Sequence, residues 1–250
     1  MMRHGVFGFL VAIGTGLSLS PPAAAAEAVD VELVLAVDTS GSIDSEEYQM
    51  QHEGYAAALS DAGIIEAIRS GPHQAIAVTF VEWSGFGHQR QLVGWTLIKD
   101  AQSAGDFAAR IKRTNRAFSD WTSISDAIDY SAQLFKDNGL EGDRLVIDIS
   151  GDGVNNNGRP AAVARDEAVA KGITINGLPI LNEDQTLDGY YQENVIGGEG
   201  AFRVAVNDFD SFTEALRGKL MREIAGLRTP PAPVDVAAAD AAPSGGAALR

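Results

Sequence analysis

Asp38-Thr39-Ser40-Gly41-Ser42 places oxygen-bearing side chains at alternate positions straight after an apolar, β-branched run. In an extended turn the side chains of Asp38, Ser40 and Ser42 can converge. One carboxylate and two hydroxyls form a hard oxygen cluster that suits Mg2+ or Mn2+ and lacks nitrogen and sulfur donors. The same three residues could instead cap the next helix and satisfy backbone groups of the turn.

A cluster of this kind needs a scaffold that fixes the loop. Val31 to Val37 reads as a buried strand, and Asp44 with Glu47 forms a capping-box pair that opens a helix reaching about Ser60. A short helix is expected around Ile64 to Ile68, then strands Ala75 to Trp83 and Gln89 to Leu97. The short Ser84-Gly85-Phe86-Gly87 connection between those strands makes them an antiparallel hairpin. Helices follow at about Ser103 to Lys112 and Ser123 to Lys136, the second with Ile124, Ile128, Ala132 and Phe135 on one face. The remaining pattern gives a strand Arg144 to Ser150, a helix Pro160 to Lys171 and a strand Ile173 to Leu178. An irregular stretch Asn182 to Gly200, a strand Phe202 to Val206 and a helix Phe209 to Ala225 complete it. Alternation of this type predicts a doubly wound, Rossmann-like α/β domain of about six strands, mainly parallel with one antiparallel, and helices on both faces. Sites in such sheets lie beyond the carboxyl ends of the strands, so the loops after the first and fourth strands are the ones to inspect.

Composition narrows the partners. The 250 residues are 45% hydrophobic and 21% charged, with 19 Lys and Arg against 34 Asp and Glu, a net charge of -15. That field repels nucleic acid and anionic lipid, and no basic stretch interrupts it. With no cysteine there is neither a disulfide framework nor a thiolate site. Residues 1–26 read as a signal peptide: Arg3, the mostly apolar run Gly5 to Leu19, Pro21-Pro22, and an Ala-x-Ala pattern before Glu27. Residues 27–228 then form the single domain, and 229–250, rich in Pro and Ala, a disordered tail. No later segment is apolar enough to span a membrane, so the mature chain is expected to be periplasmic or secreted.

The Asp-x-Ser-x-Ser motif resembles the metal-ion-dependent adhesion site of the von Willebrand factor A (vWA) domain, and the resemblance extends over most of Val31 to Ala225. In that family a Thr from a second loop and an Asp from a third complete the site. The resemblance therefore implies Thr122, in Thr122-Ser123-Ile124-Ser125, and Asp152, in Ser150-Gly151-Asp152-Gly153, as the further ligands. Asp120-Trp121 stands where the family often has Gly before the Thr, and Gly151 lengthens the lead-in to Asp152. With its Ser-Gly-Asp-Gly segment and leader, the layout is similar to a bacterial vWA-like family of undetermined function, from which no activity carries over.

Two carboxylates and three hydroxyls barely neutralise a divalent ion and leave it electrophilic. The resemblance implies that an Asp or Glu of a protein partner coordinates that ion, expected to be Mg2+, with Mn2+ or Ca2+ as substitutes. Asp120, Trp121, Arg116, Asn155 and Arg159 are candidates for the rim that meets the ligand, and Arg113 is a further source of compensating charge. Asn155-Asn156-Asn157 reads first as a turn, with extension of the coordination or contact with a ligand as the second reading. Asp148, inside an apolar strand, needs a buried partner, while His52, His73 and His88 show no metal spacing and read as surface or loop residues. Gly-x-x-x-x-Gly-Lys-Ser/Thr, Gly-x-Ser-x-Gly and Gly-x-Gly-x-x-Gly motifs are all missing from their required contexts. The expected function is thus a non-enzymatic, exported, metal-dependent binding module of undefined oligomeric state. The alternatives are a metal-dependent hydrolase with Asp120 as general base and a scaffold whose metal only stabilises the fold.

Overall fold

The computed structural model describes residues 26–209 and 211–226. The expected leader, apart from Ala26, and the 229–250 tail lie outside them. The central sheet holds β2 (Glu32–Asp38), β3 (Ile76–Trp83), β4 (Gln89–Ile98), β6 (Leu145–Gly151) and β7 (Ile173–Pro179) in the order β4-β3-β2-β6-β7. Only the β3–β4 pair is antiparallel. The chain leaves β2 for β3 on one side and later returns to β6 on the other. The strand order therefore reverses at β2, and a crevice opens beyond its carboxyl end.

All seven residues of β2 are buried, as expected of a central parallel strand covered on both faces. Its period-two alternation divides the core: Leu33, Leu35 and Val37 pack on one side, Val34 and Ala36 on the other. The first side is covered by α1 (Ser45–Leu59), α2 (Ala62–Ser70), α3 (Ala101–Ile111) and α7 (Phe212–Ala225), through residues such as Tyr55, Ile64, Phe107 and Leu216. The second side is covered by α4 (Ile124–Gln133), α5 (Ala161–Val169) and α6 (Leu187–Asn194), through Ile128, Ala164 and Tyr191. The Asp44–Glu47 capping box forms as expected, with Asp44 Oδ1 accepting from the N–H of Glu46 and Glu47 and the Glu47 carboxylate accepting from Asp44 N–H. Asp38, Ser40 and Ser42 are thereby released from capping α1.

Two expectations need correction, and one element was not expected. The segment Phe202 to Val206 is not a strand; it lies beside β7 with isolated bridges at Arg203 and Val206. Gly177 N–H donates to Phe202 O, Val204 N–H to Gly177 O and Val206 N–H to Pro179 O, but the rung that residue 179 would donate is missing because proline has no N–H. The stretch Asn182 to Gly200 is not wholly irregular, since α6 lies within it, anchored by Leu187 and Tyr191 one helical turn apart and fully buried. A two-stranded parallel sheet of β1 (Glu27–Val29) and β5 (Leu140–Gly142), too short to register as a pattern, sits at the amino ends of the main strands.

The partner that Asp148 requires is Lys219 of α7, fully buried, with Nζ 2.5 Å from Asp148 Oδ1 and also bound to Glu223. Asn176 donates to Glu223 as well. Burial, then the charge of Glu223, pushes the Asp148 carboxyl up to about 7 against the pull of Lys219. This trio fixes α7 against β6. Removing the only cation of the trio leaves two buried acids facing each other, so Lys219→Met is expected to cost about 3–5 kcal/mol of stability. Urea unfolding followed by circular dichroism measures that loss; an unchanged midpoint would show that the ion pair does not hold the helix.

Candidate functional site

The carboxyl ends of β2 and β6 and the approach to α4 bring together the three loops singled out in the sequence. Asp38 ends β2 and is fully buried, with Ser40 behind it at 1% exposure. Its Oδ1 accepts from Ser40 N–H at 2.7 Å, and Ser40 Oγ lies 3.3 Å from Ser42 Oγ. Ser42 Oγ donates to Asp152 Oδ1 at 2.7 Å, so the first and third loops are joined directly. Thr122, also buried, borders the third loop: a β-carbon on Gly153 would lie 3.4 Å from Thr122 Oγ1. Thus Asp38, Ser40, Ser42 and Asp152 form one connected cluster, with Thr122 on its flank.

The loops are held by hydrogen bonds that precede any ligand. Thr39 N–H donates to Trp83 O and Ser123 N–H to Ser84 O, which ties the first and second loops to the end of β3. Gly41 N–H donates to Asp120 O at 2.7 Å, so the Asp120-Trp121 segment braces the first loop through its backbone. Asn156 Oδ1 accepts from Thr122 N–H, and the N–H groups of Asn156 and Asn157 both donate to Thr122 O. Asn155 Oδ1 accepts from Ser125 N–H while its amide donates to Asn157 O and Arg159 O. The asparagine run therefore lashes the third loop to the second.

Arg116 also belongs to the bracing. It donates through Nη2 to Thr39 O and Ser40 O at 2.8 and 2.7 Å and through Nε to Phe118 O. Arg159 is occupied by Asp129 and Glu167, which hold its guanidinium above its ordinary pKa. Both arginines are thus committed chiefly to contacts within the fold. Arg113 is exposed. Trp121, 63% exposed, and Phe86, 66% exposed, stand beside the cluster: Phe86 N–H donates to Asn157 Oδ1, next to the contacts with Thr122. Asp120 is exposed, accepts from Trp121 N–H through Oδ1 and pairs through Oδ2 with His88 at 3.3 Å.

Electrostatics define what the cluster can hold. Burial, then the charge of Asp152, pushes the Asp38 carboxyl up to about 8. Burial raises Asp152, the Ser42 hydroxyl pulls it back, and Glu183 and Glu47 push it further. Asp38 Oδ2 and Asp152 Oδ2 are both buried without a hydrogen-bond partner. Two carboxylate oxygens left in this state, lined by hydroxyls, fit a divalent cation that accepts oxygen donors. Any cation held here would draw on Asp38, Ser40, Ser42, Thr122 and Asp152.

Several contributors were invisible to motif reading. Tyr191 of α6 backs the niche: a β-carbon at Gly151 would lie 3.1 Å from its hydroxyl and 2.8 Å from Asp38 Oδ2. Gly151 is therefore required for close approach of β6 to Asp38. Buried Glu82 accepts from Tyr48 Oη and Ala117 N–H and lies 3.3 Å from His52 Nε2, which fixes the lead-in to the second loop. His52 is consequently buried, contrary to its expected place at the surface. The Leu187–Tyr191 spacing was the available signal for Tyr191; Glu82 gave none beyond being an acid in an apolar strand.

The chain matches the family model described as "Protein of unknown function (DUF1194)" over residues 28–228. No curated protein matches it in sequence. Among solved structures it is similar to proximal thread matrix protein 1 from the mussel byssus, with a zinc-occupied MIDAS motif (TM-score 0.54, 16% identity, 78% of this chain and 46% of that one). It is also similar to a von Willebrand factor type A protein from Catenulispora acidiphila (TM-score 0.58, 16% identity, 79% and 43%). A third is the vWF domain of the type V pili tip protein Mfa5 from Porphyromonas gingivalis (TM-score 0.55, 9% identity, 84% and 99%). The chain spans less than half the length of the first two. The fold is that of vWA domains.

A methyl group at residue 151 would strike the free oxygen of Asp38. Gly151→Ala is accordingly expected to lower divalent-cation affinity about 10- to 100-fold, the range for a group that positions a ligand. Isothermal titration with Mg2+ and Mn2+ checks it, and unchanged affinity would mean that Asp38 is not where the cation binds.

Proposed function

The chain belongs to the DUF1194 family of proteins of unknown function, and we propose that it is an exported binding module that captures an acidic group of a protein partner through a divalent cation. The cation is held by Asp38, Ser40, Ser42, Thr122 and Asp152, with Mg2+ as the ion that an all-oxygen donor set favours and Mn2+ or Ca2+ as substitutes. The observation that carries this reading is the pair of buried, unpartnered oxygens on Asp38 and Asp152 at the point where the strand order reverses. The zinc-occupied motif of the mussel thread protein and the pilus-tip role of Mfa5 support a cation-dependent adhesive module.

The residues of this chain perform three tasks. Asp38 and Asp152 supply charge, the hydroxyls complete the donor set, and the cross-bracing keeps all of them in place before a partner arrives. A bound divalent ion supplies the Lewis acidity that accepts the partner's carboxylate. Because Glu47 and Glu183 already raise Asp152, the surroundings repel an acidic ligand unless the cation is present. Binding is therefore strictly conditional on the metal. Trp121 and Phe86 offer the apolar contact that an ion alone cannot, since exposed aromatics of this size beside a site are suited to anchor a partner.

Export is part of the proposal. Cleavage before Glu27 would leave β1 intact from its first residue, and Glu27 N–H already donates to Gly139 O. Among the described residues no helix is long and apolar enough to cross a membrane.

Asp38→Ala is expected to abolish Mg2+ uptake by titration calorimetry and partner capture from the exported fraction, with the circular dichroism spectrum retained. Capture that survives this substitution would rule the mechanism out, and a metal-raised melting temperature with no partner captured would point to the scaffold. Trp121→Ala should leave Mg2+ affinity within a factor of two while weakening capture at least tenfold. Equal capture by both chains would remove Trp121 from the interface.

A further inference from the structure

A second group of metal-ligating side chains meets at the opposite pole of the sheet. Asp30 lies between β1 and β2, His73 between α2 and β3, and Asp143 between β5 and β6. One ligand atom from each lies within 4.8 Å of the other two. Along β2, Asp30 and Asp38 are separated by roughly 26 Å of extended chain, so this cluster is independent of the site described above.

Asp30 is the informative member. It is only 7% exposed, its Oδ1 accepts from His73 N–H at 2.9 Å, and its Oδ2 is buried with no hydrogen-bond partner. Gly71 packs directly on this carboxylate: a β-carbon there would lie 2.1 Å from Oδ2. The φ of Gly71 is -71°, accessible to any residue, so glycine is needed for space alone. His73 Nε2 lies 3.2 Å from Asp143 Oδ2, and both side chains reach solvent, at 32% and 58% exposure. The adjacent cation, Arg144, feels the charges of Asp30 and Asp143, yet its two terminal nitrogens donate to the carbonyls of Glu223 and Ile224. It leaves Asp30 Oδ2 without a donor.

We propose that Asp30, His73 and Asp143 form a site for a borderline divalent ion, Zn2+ foremost. One imidazole nitrogen with two carboxylate oxygens matches the ligands zinc accepts, whereas Mg2+ and Ca2+ favour oxygen throughout. Zinc–ligand bonds of about 2.0–2.1 Å place tetrahedral ligand atoms roughly 3.3–3.5 Å apart. Rotation of the exposed Asp143 and His73 side chains closes the present spacing to that value, and water completes the coordination. The ion joins three connections at the amino ends of the strands and staples the β1–β5 sheet to the main one.

The test uses Zn2+ as the probe, titrated into the full exported chain carrying Asp38→Ala and, in parallel, into the unsubstituted chain with the strand-end site saturated by excess Mg2+. Both are expected to take up one Zn2+, with a shift of the His73 imidazole resonances and a higher melting temperature. His73→Ala and Asp143→Asn, at exposed side chains, should each lower the affinity at least tenfold. Absence of that uptake from both preparations, or full zinc affinity in both variants, would overturn the proposal. Because Mg2+ binding at Asp38 is read separately, the two sites stand or fall independently.

Discussion

Everything at the carboxyl end of the sheet follows from burying two acids in one niche. Asp38 has no exposure at the end of a strand covered on both faces, and Asp152 lies close enough to raise it. Like charges withdrawn from water resist ionisation, so burial together in this niche raises both carboxyls, and a cation held between them would favour release of their protons. A fold that only needed a turn here could have used neutral side chains. The retained carboxylates are a cost to stability that makes sense when a positive ion repays it.

The niche is rigid for reasons that lie outside it. Backbone carbonyls of Trp83 and Ser84 hold two loops, Asn156 and Asn157 hold the second loop to the third, and Arg116 grips two carbonyls of the first. Polar groups that resemble a binding rim are thus mostly part of the frame. The opening is acidic because Glu183 and Glu47 face Asp152, while the charge of Arg159 is paired with Asp129 and Glu167.

Much of this was legible in the residues. The apolar run of β2, the capping box of α1 and the hairpin were each carried by local patterns, and the Asp-x-Ser-x-Ser spacing located the first loop. What escaped depended on contacts between distant segments. The strand expected at Phe202 to Val206 fails because of a proline on its neighbour, and α6 was hidden by a polar sequence with only Leu187 and Tyr191 as anchors. Arg116 and Arg159 have ordinary surface sequences, and nothing local reveals the carbonyls and carboxylates they bind. Likewise, no spacing links Asp30, His73 and Asp143, which meet only because three strands begin at the same level.

The interrupted rung at Pro179 has a consequence for how this molecule coexists with its own copies. An open edge on β7 would offer a row of amides and carbonyls on which another chain could add a strand. Here residues 202–206 cover that edge, but with broken pairing that makes the cover itself a poor template. The sheet is closed to growth on that side without being extended by another regular strand, a safeguard against self-association at high local concentration.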